Sequence, residues 1–257
     1  FSIMKKLNVA LVGLSFGLEF VAIYCKHPDI DKVYVVDKNE KLLNIAKERY
    51  SIPDERCFTD LQDVLDIPEI DAVHLVTPPA THAPFSVRVL NAGKHCGCTI
   101  PMGMSIQELN DIIAARKASG KNYMFMETTI FQREFLYIQE LYKKGELGRL
   151  QYMTCAHYQD MEGWPEYWEG FPPLMHPTHA VAPCLMLAGH LPDKVYARGS
   201  GKIRKELADK YGCPFAFESA FISLQDSDVT IEMERFLYGV ATVSYTHLRA
   251  HETLRHL

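Results

Sequence analysis

No apolar run in this 257-residue sequence approaches the ~20 residues needed to cross a bilayer, so no membrane span is expected. A basic stripe is missing as well. Lys and Arg total 27 against 32 Asp and Glu, for a net charge of −5, and nothing in that balance suits a nucleic-acid partner. Phe1 to Lys6 lack a charged segment followed by a long apolar one. A secretory leader is therefore not expected, a cytoplasmic location is, and Met4 reads as the natural start. Paired cysteines are also absent. Cys25, Cys57, Cys96, Cys98, Cys155, Cys184 and Cys213 are odd in number and scattered, which suits reduced thiols better than a disulfide framework. Cys96 and Cys98 form C-x-C with no second pair to follow, so they read as buried strand residues and no metal site is expected. Internal repeats and low-complexity tracts are missing too. With 47% hydrophobic and 23% charged residues, what remains is an ordinary globular chain of one large or two smaller domains.

The first half alternates between two periods. Short apolar runs at Val9–Val12, Val33–Val36, Ala72–Val76, His95–Cys98 and Tyr123–Met126 read as strands, the last ending at Glu127. Between them, Leu18–His27, Asn39–Tyr50, a segment capped by Thr81 and closed by Gly93, and Ser105–Ser119 read as helices. Ser105-x-x-Glu108 is a capping box, with Ile106, Leu109 and Ile113 on one helix face. Near-continuous apolar strands alternating with helices predict an α/β domain, a parallel sheet covered on both faces, over residues 1–127. Beyond it the pattern changes. A helix through Phe131, Phe135, Ile138 and Leu141 precedes mostly strands, at Leu150–Gln159, Val195–Arg198, Phe215–Leu224 and Thr230–Tyr238, with one helix at Thr178–Ala188. That pattern predicts an α+β domain with a mainly antiparallel open sheet over residues 128–242.

The first strand runs into the first helix through Gly13-Leu14-Ser15-Phe16-Gly17. A dinucleotide diphosphate needs main-chain amides it can approach closely at a helix N-terminus, and glycine permits the approach. The G-x-G-x-x-G pattern is only partly met: Ser15 replaces the second glycine and Gly17 comes one place early. Ser15 keeps a small side chain and adds a hydroxyl donor. Asp37 follows the second strand, where a carboxylate accepts from the 2′-OH of NAD and repels the 2′-phosphate of NADP. The position of these residues favours a dinucleotide site over a bare strand–helix turn, with NAD favoured and NADP possible.

From Lys5 to Ala241 the chain resembles the Gfo/Idh/MocA family, named for glucose–fructose oxidoreductase, inositol dehydrogenase and rhizopine catabolism. The resemblance lies in an ordered set of stretches. These are the Val9–Gly17 turn, Thr77-Pro78-Pro79-Ala80-Thr81-His82, Ala92-Gly93-Lys94-His95, Arg133-Glu134-Phe135, Gly145-Glu146-Leu147-Gly148 and the helix carrying His179. It implies a Rossmann domain, a second domain with an open sheet, and NAD(P)-dependent oxidation or reduction of sugars and polyols. By the resemblance, Gly13, Ser15, Phe16 and Gly17 hold the diphosphate and Asp37 the ribose, while Thr77, Pro78, His82 and Pro101 line the cofactor. The family's Glu-Lys-Pro falls on Thr99-Ile100-Pro101, so its proton-handling lysine is lost. Its catalytic histidine falls on His179, but the aspartate four residues earlier is Met175. His179 is then the expected base for a hydroxyl proton, with His176 taking an orienting or proton-carrying part. Tyr158, Gln159 and Asp160 are candidate substrate contacts, and Trp164, Tyr167 and Trp168 are candidates to stack on a sugar face.

These readings point to an oxidoreductase acting on a sugar or polyol, with a homo-oligomer expected for the full-length protein. Two alternatives stay open: redox-assisted glycoside cleavage with NAD, and a cofactor-binding sensor without catalysis. Residues 243–257 do not match the family and read as a non-native tail. His247 and His251 are four apart, which on a helix could seat a metal, and His251-Glu252 resembles the start of H-E-x-x-H, but His256 follows five along and i,i+5 does not share a helix face. On that reading the second domain is cut short and the Thr230–Tyr238 strand has lost a neighbour.

Overall fold

The computed structural model describes residues 5–251, of which 240–251 are described by backbone alone. The chain divides into two compact units between Met126 and Glu127. Among the described residues, no helix is long and apolar enough to cross a membrane.

The first unit alternates strand and helix: β1 (Leu7–Val12), α1 (Leu18–Lys26), β2 (Ile30–Val36), α2 (Glu40–Tyr50), β3 (Cys57–Phe58), α3 (Leu61–Leu65), β4 (Ala72–Leu75), α4 (Pro79–Asn91), β5 (His95–Cys98), α5 (Ile106–Ser119) and β6 (Tyr123–Phe125). The six strands form one sheet in the order β3-β2-β1-β4-β5-β6, and every pairing is parallel. Buried apolar residues lie on both faces of β1: Ala10 and Val12 join one cluster, and Leu11 joins another with Leu14 and Val21. Successive side chains of a strand point to opposite faces, so both faces are covered. The strand order reverses between β1 and β4, which opens a crevice at their C-terminal ends.

Two helix details differ from the sequence expectation. Thr81 lies inside α4 and does not cap it. Pro78 is the N-cap and Pro79 the first helical residue, where its missing N–H costs nothing and its φ is already helical. In α5, Ile106 is 74% exposed and Ile113 is also exposed, whereas Ile112 and Ala115 are buried. The helix packs on α4, its buried face runs through Ile112 and Ala115, and the spacing of Ile106, Leu109 and Ile113 does not identify that face. Ser105 caps α5 by accepting from the Glu108 amide at 3.2 Å, but the Glu108 carboxylate turns to the Met104 amide at 2.5 Å.

The second unit contains α6 (Arg133–Lys143), β7 (Arg149–Asp160), α7 (Glu166–Glu169), α8 (Thr178–Ala188), β8 (Pro192–Ser200), α9 (Lys205–Tyr211), β9 (Phe217–Leu224), β10 (Thr230–Phe236) and β11 (Tyr238–His251). Its sheet runs β11-β7-β10-β9-β8. Only the β7–β10 pair is parallel. Helix α8 covers one face, with Ala180, Val181 and Cys184 packed on Met153, Cys155, Ala220, Ile222, Ile231 and Met233.

The strand at Thr230 is central, hydrogen-bonded on both sides, and has lost no neighbour. Residues 243–251 were not expected to take part in the fold, yet their backbone continues β11 along β7, from Val243 opposite Tyr158 to His251 opposite Arg149. Strand pairing is made by main-chain groups, so an unpaired edge of β7 accepts an extended segment of any sequence. His247 and His251 thus lie on a strand, while Glu252 and His256 fall outside the described residues. All seven cysteines are free.

Candidate functional site

The β1–α1 turn is built on two glycines with no room for a side chain. Gly13 has φ +92°, and a Cβ there would lie 2.2 Å from the Val76 carbonyl oxygen at the end of β4. A Cβ on Gly17 would lie 1.9 Å from the Gly13 carbonyl oxygen. The turn therefore folds tightly on itself and against the neighbouring strand, at the crevice where the strand order reverses. The Gly13 amide donates to Val36 O at 2.9 Å and the Leu14 amide to Asp37 Oδ2 at 2.7 Å. Asp37 Oδ1 accepts from the Asn39 amide at 2.8 Å. Ser15 and Phe16 are exposed. Among the described residues, the amides of Ser15, Phe16 and Gly17 make no hydrogen bond, and they head α1. Free amides at a helix N-terminus, with an acid at the end of β2, fit the diphosphate and ribose of a dinucleotide.

Beyond β4, the Thr81 hydroxyl donates toward Thr77 Oγ1 and Pro78 O, both at 2.7 Å. His82 is buried, with Nδ1 2.6 Å from Pro101 O and Nε2 2.6 Å from Thr77 O. Burial lowers its pKa, against the opposing pull of those two carbonyls. Both ring nitrogens lie beside main-chain carbonyls, and the neutral ring donates to one of the two. The ring ties the segment after β4 to the one after β5 and presents no free polar edge. Ile100, where the resemblance places a lysine, is buried and has no proton to exchange.

The second unit gathers the groups that can move a proton. His179 lies in the first turn of α8, and its Nδ1 is 2.7 Å from Glu127 Oε1. The same oxygen accepts from the Thr129 amide at 2.9 Å and the Thr129 hydroxyl at 2.8 Å. Glu127 is 2% exposed. Burial pushes its pKa up, but the His179 bond and charge and the Thr129 amide outweigh that and hold it down to about 2. The His179 side chain stays 26% exposed. Among the described residues its Nε2 makes no hydrogen bond. The rings of His157 and His176 pack edge-on against it, with centroids 5.2 and 5.4 Å away.

Arg235 closes the cluster from behind and is fully buried. Its guanidinium donates to His157 O and Phe236 O at 3.0 Å and to Gln159 Oε1 at 2.7 Å. Burial lowers its pKa to about 10, which leaves it charged at neutral pH. Burial, then the charge of Arg235, drives His157 down to about 3 and His176 well below its ordinary value. Those two rings are neutral packing partners. His176 touches His179 through its ring alone, and the group hydrogen-bonded to the His179 ring is Glu127.

This cluster predicts a pH dependence. Unfolded, His157 and His176 titrate near the ordinary value of 6.5. Below that value the unfolded chain binds more protons than the folded one. Their contribution to stability is complete above pH 6.5 and is lost as the pH falls toward about 3 for His157. Thermal melts from about pH 7 down to about pH 4 should show a falling Tm, with a shallower fall in His157→Gln. Parallel profiles for the two proteins would contradict this account.

Strand alternation decides which other candidates reach His179. Met153, Cys155, His157 and Gln159 share the face of β7 toward α8, so Tyr158 and Asp160 fall on the opposite one. There the Tyr158 hydroxyl donates to Glu234, and its ring packs on Phe236. The Trp164 ring is 47% exposed, and its amide donates to Met161 O. Trp168, on α7, packs on the cluster with its ring 5.2 Å from His176, Phe171 lies 6.3 Å from the same ring, and Tyr167 sits beside Trp168. Glu127, His157 and Arg235 were not anticipated. A signal for the last two was present: each continues an apolar alternation, Met153–Cys155–His157 and Ile231–Met233–Arg235, and they lie opposite each other in register.

Residues 7–127 match the family model Gfo/Idh/MocA, described as an oxidoreductase family with an NAD-binding Rossmann fold. Among curated proteins, a glycosyl hydrolase family 109 protein of Shewanella sp. strain W3-18-1 is 25% identical over 207 residues, covering 70% of this chain and 44% of that protein. An alpha-N-acetylgalactosaminidase of Shewanella oneidensis is 24% identical over 203 residues, with the same coverage. The chain thus spans less than half the length of these relatives. Among solved structures, myo-inositol 2-dehydrogenase from Lactobacillus plantarum superposes with a TM-score of 0.83 at 19% identity, covering 96% of this chain and 74% of that one. Scyllo-inositol dehydrogenase from Lactobacillus casei, solved with NAD(H) and scyllo-inositol, gives 0.80 at 18% identity, covering 97% and 75%. At such identities the structural likeness establishes the fold.

Proposed function

We propose that this chain, which belongs to the Gfo/Idh/MocA oxidoreductase family through its NAD-binding Rossmann domain at residues 7–127, oxidises or reduces a hydroxyl-bearing carbon of a sugar or polyol. The observation that carries the reading is the Glu127–His179 pair, a base held in one orientation with its second nitrogen open. Bound NAD supplies the two-electron acceptor for the hydride. The free amides of Ser15, Phe16 and Gly17 hold its diphosphate, and Asp37 accepts from the ribose hydroxyls. Thr77 and Pro78 line the same crevice, while His82 and Pro101 hold its wall through their mutual bond. His179 takes the hydroxyl proton on Nε2 as the carbon is oxidised, and returns it in the reverse direction. With Ile100 in place of a lysine, no second proton-handling group is needed for that single transfer.

Incubation with NAD and a panel of inositols, hexoses and sugar alcohols tests the proposal, read at the absorbance band of reduced nicotinamide. Growth of that band with one or more of them is the expected result. A second reading is favoured by the names of the curated relatives: redox-assisted cleavage of a glycoside, in which the hydride is returned and no reduced cofactor accumulates. Aryl glycosides separate the two, since release of the aglycone without net reduction marks the second.

The carboxylate of Asp37 also sets the choice between cofactors. Asp37→Ser removes the negative charge that repels a 2′-phosphate, so the ratio of NADP to NAD affinity should rise about tenfold or more, the scale of one charge–charge contact of ~1.4 kcal/mol. Fluorescence titration with both reduced cofactors checks it. An unchanged ratio would remove Asp37 from the ribose site.

A further inference from the structure

We infer that Glu127 is the positioning residue of His179, a carboxylate supplied from the chain segment after β6 where position 175 carries no acid. Its catalytic meaning rests on the proton-carrying role proposed for His179. The residue four before His179 is Met175, which cannot accept a hydrogen bond from an imidazole N–H with any strength. Among the described residues, the one carboxylate bonded to the ring is Glu127, 52 positions away in sequence.

Three features make this contact an orienting device. Glu127 Oε1 receives three donors, the His179 ring and the amide and hydroxyl of Thr129, so the carboxylate is itself held by its neighbours. An ionised carboxylate has only lone pairs to offer, so the ring must be the donor. That selects the Nδ1–H tautomer and leaves the lone pair on Nε2, the nitrogen with no bond inside the protein. The flanking rings of His157 and His176 pack edge-on and hold the plane of the imidazole. When Nε2 takes a proton, the positive charge formed lies beside a buried negative one, which strengthens the hydrogen bond as the reaction proceeds.

The test reads the ring directly and needs no substrate. Protein labelled with 15N-histidine, at a pH where the His179 ring is neutral, is followed by long-range 1H–15N NMR, with His179→Ala assigning the signals. The expected spectrum has a protonated Nδ1 and an unprotonated Nε2. In Glu127→Ala the ring should shift toward the Nε2–H form that a free histidine side chain prefers. Glu127→Gln is the second variant. Its amide oxygen keeps the Thr129 donors and the tautomer, but it removes the charge. With any substrate the panel identifies, kcat for Glu127→Gln should fall about tenfold to a hundredfold, with little change in KM for NAD. An Nε2–H tautomer in the unaltered protein, or an unshifted one in a folded Glu127→Ala, would overturn the inference. Should Glu127→Ala fail to fold, the tautomer of the unaltered protein decides. A correct tautomer with no turnover of any panel member would count against the proposed activity and leave the positioning role standing.

Discussion

Replacing His179 by Ala is expected to lower kcat for the proposed polyol oxidation by ~10²–10⁴-fold, the range over which a positioned general base contributes, with NAD affinity unchanged. The prediction follows from how the proton-handling groups are distributed. Ile100 carries no proton, and His157 and His176 are buried and kept neutral, the latter behind Trp168 and Phe171. Of the three histidines in this cluster, only His179 combines a nitrogen bonded to a carboxylate with an open one on a part-exposed side chain. Water can still take the proton in its absence, so a residual rate is expected. Its size should rise with pH as hydroxide replaces the lost base. Steady-state kinetics with a substrate from the panel, alongside cofactor titration, separates the chemical step from binding. A variant with undiminished kcat would show that the proton leaves by another route.

Gly13→Ala should be the most damaging single substitution in the first unit. The φ of +92° is a conformation side chains rarely adopt, and the new Cβ would sit 2.2 Å from the main-chain oxygen of Val76. That oxygen belongs to the strand end itself and cannot swing aside as a flexible side chain would. The turn must lift off β4 or the strand must shift. Backbone strain of this kind costs ~1–3 kcal/mol by itself, and with the contact we expect a loss of about 2–4 kcal/mol in unfolding free energy. Cofactor affinity should fall at least tenfold, because the Ser15–Gly17 amides ride on the displaced turn. Denaturant unfolding and calorimetry on the same preparation measure both effects. Wild-type values for stability and affinity would mean that the turn is looser than its geometry states.

The first unit was legible because its local and long-range signals agree. Strands read as unbroken apolar runs, helices carry caps, and the diphosphate turn falls where strand order reverses. Packing between two helices was less legible. The buried face of α5 runs through Ile112 and Ala115, and nothing in the spacing of Ile106, Leu109 and Ile113 discloses it.

The candidate site was legible at His179 and not around it. An acid was sought four residues earlier in the chain, a local spacing, whereas Glu127 reaches the ring through tertiary folding. One hint lay in the sequence: Glu127 directly follows the last parallel strand, and the ends of such strands gather functional groups. Tyr158 and Asp160 were singled out for their place at the end of a strand, and strand alternation puts them on the face of β7 opposite His157. His157 and Arg235, each continuing an apolar series, were not singled out. The fate of residues 243–251 depended on main-chain pairing with β7, to which side-chain identity contributes little.

Everything proposed for catalysis requires that a dinucleotide diphosphate rest on the amides of Ser15, Phe16 and Gly17. Isothermal calorimetry of NAD into the folded protein tests this most directly. The account predicts saturable heat with one site per chain, abolished or weakened at least tenfold in Gly13→Ala and retained in His179→Ala. Absence of binding heat for both NAD and NADP across a range of temperatures, in protein shown by circular dichroism to be folded, would contradict it.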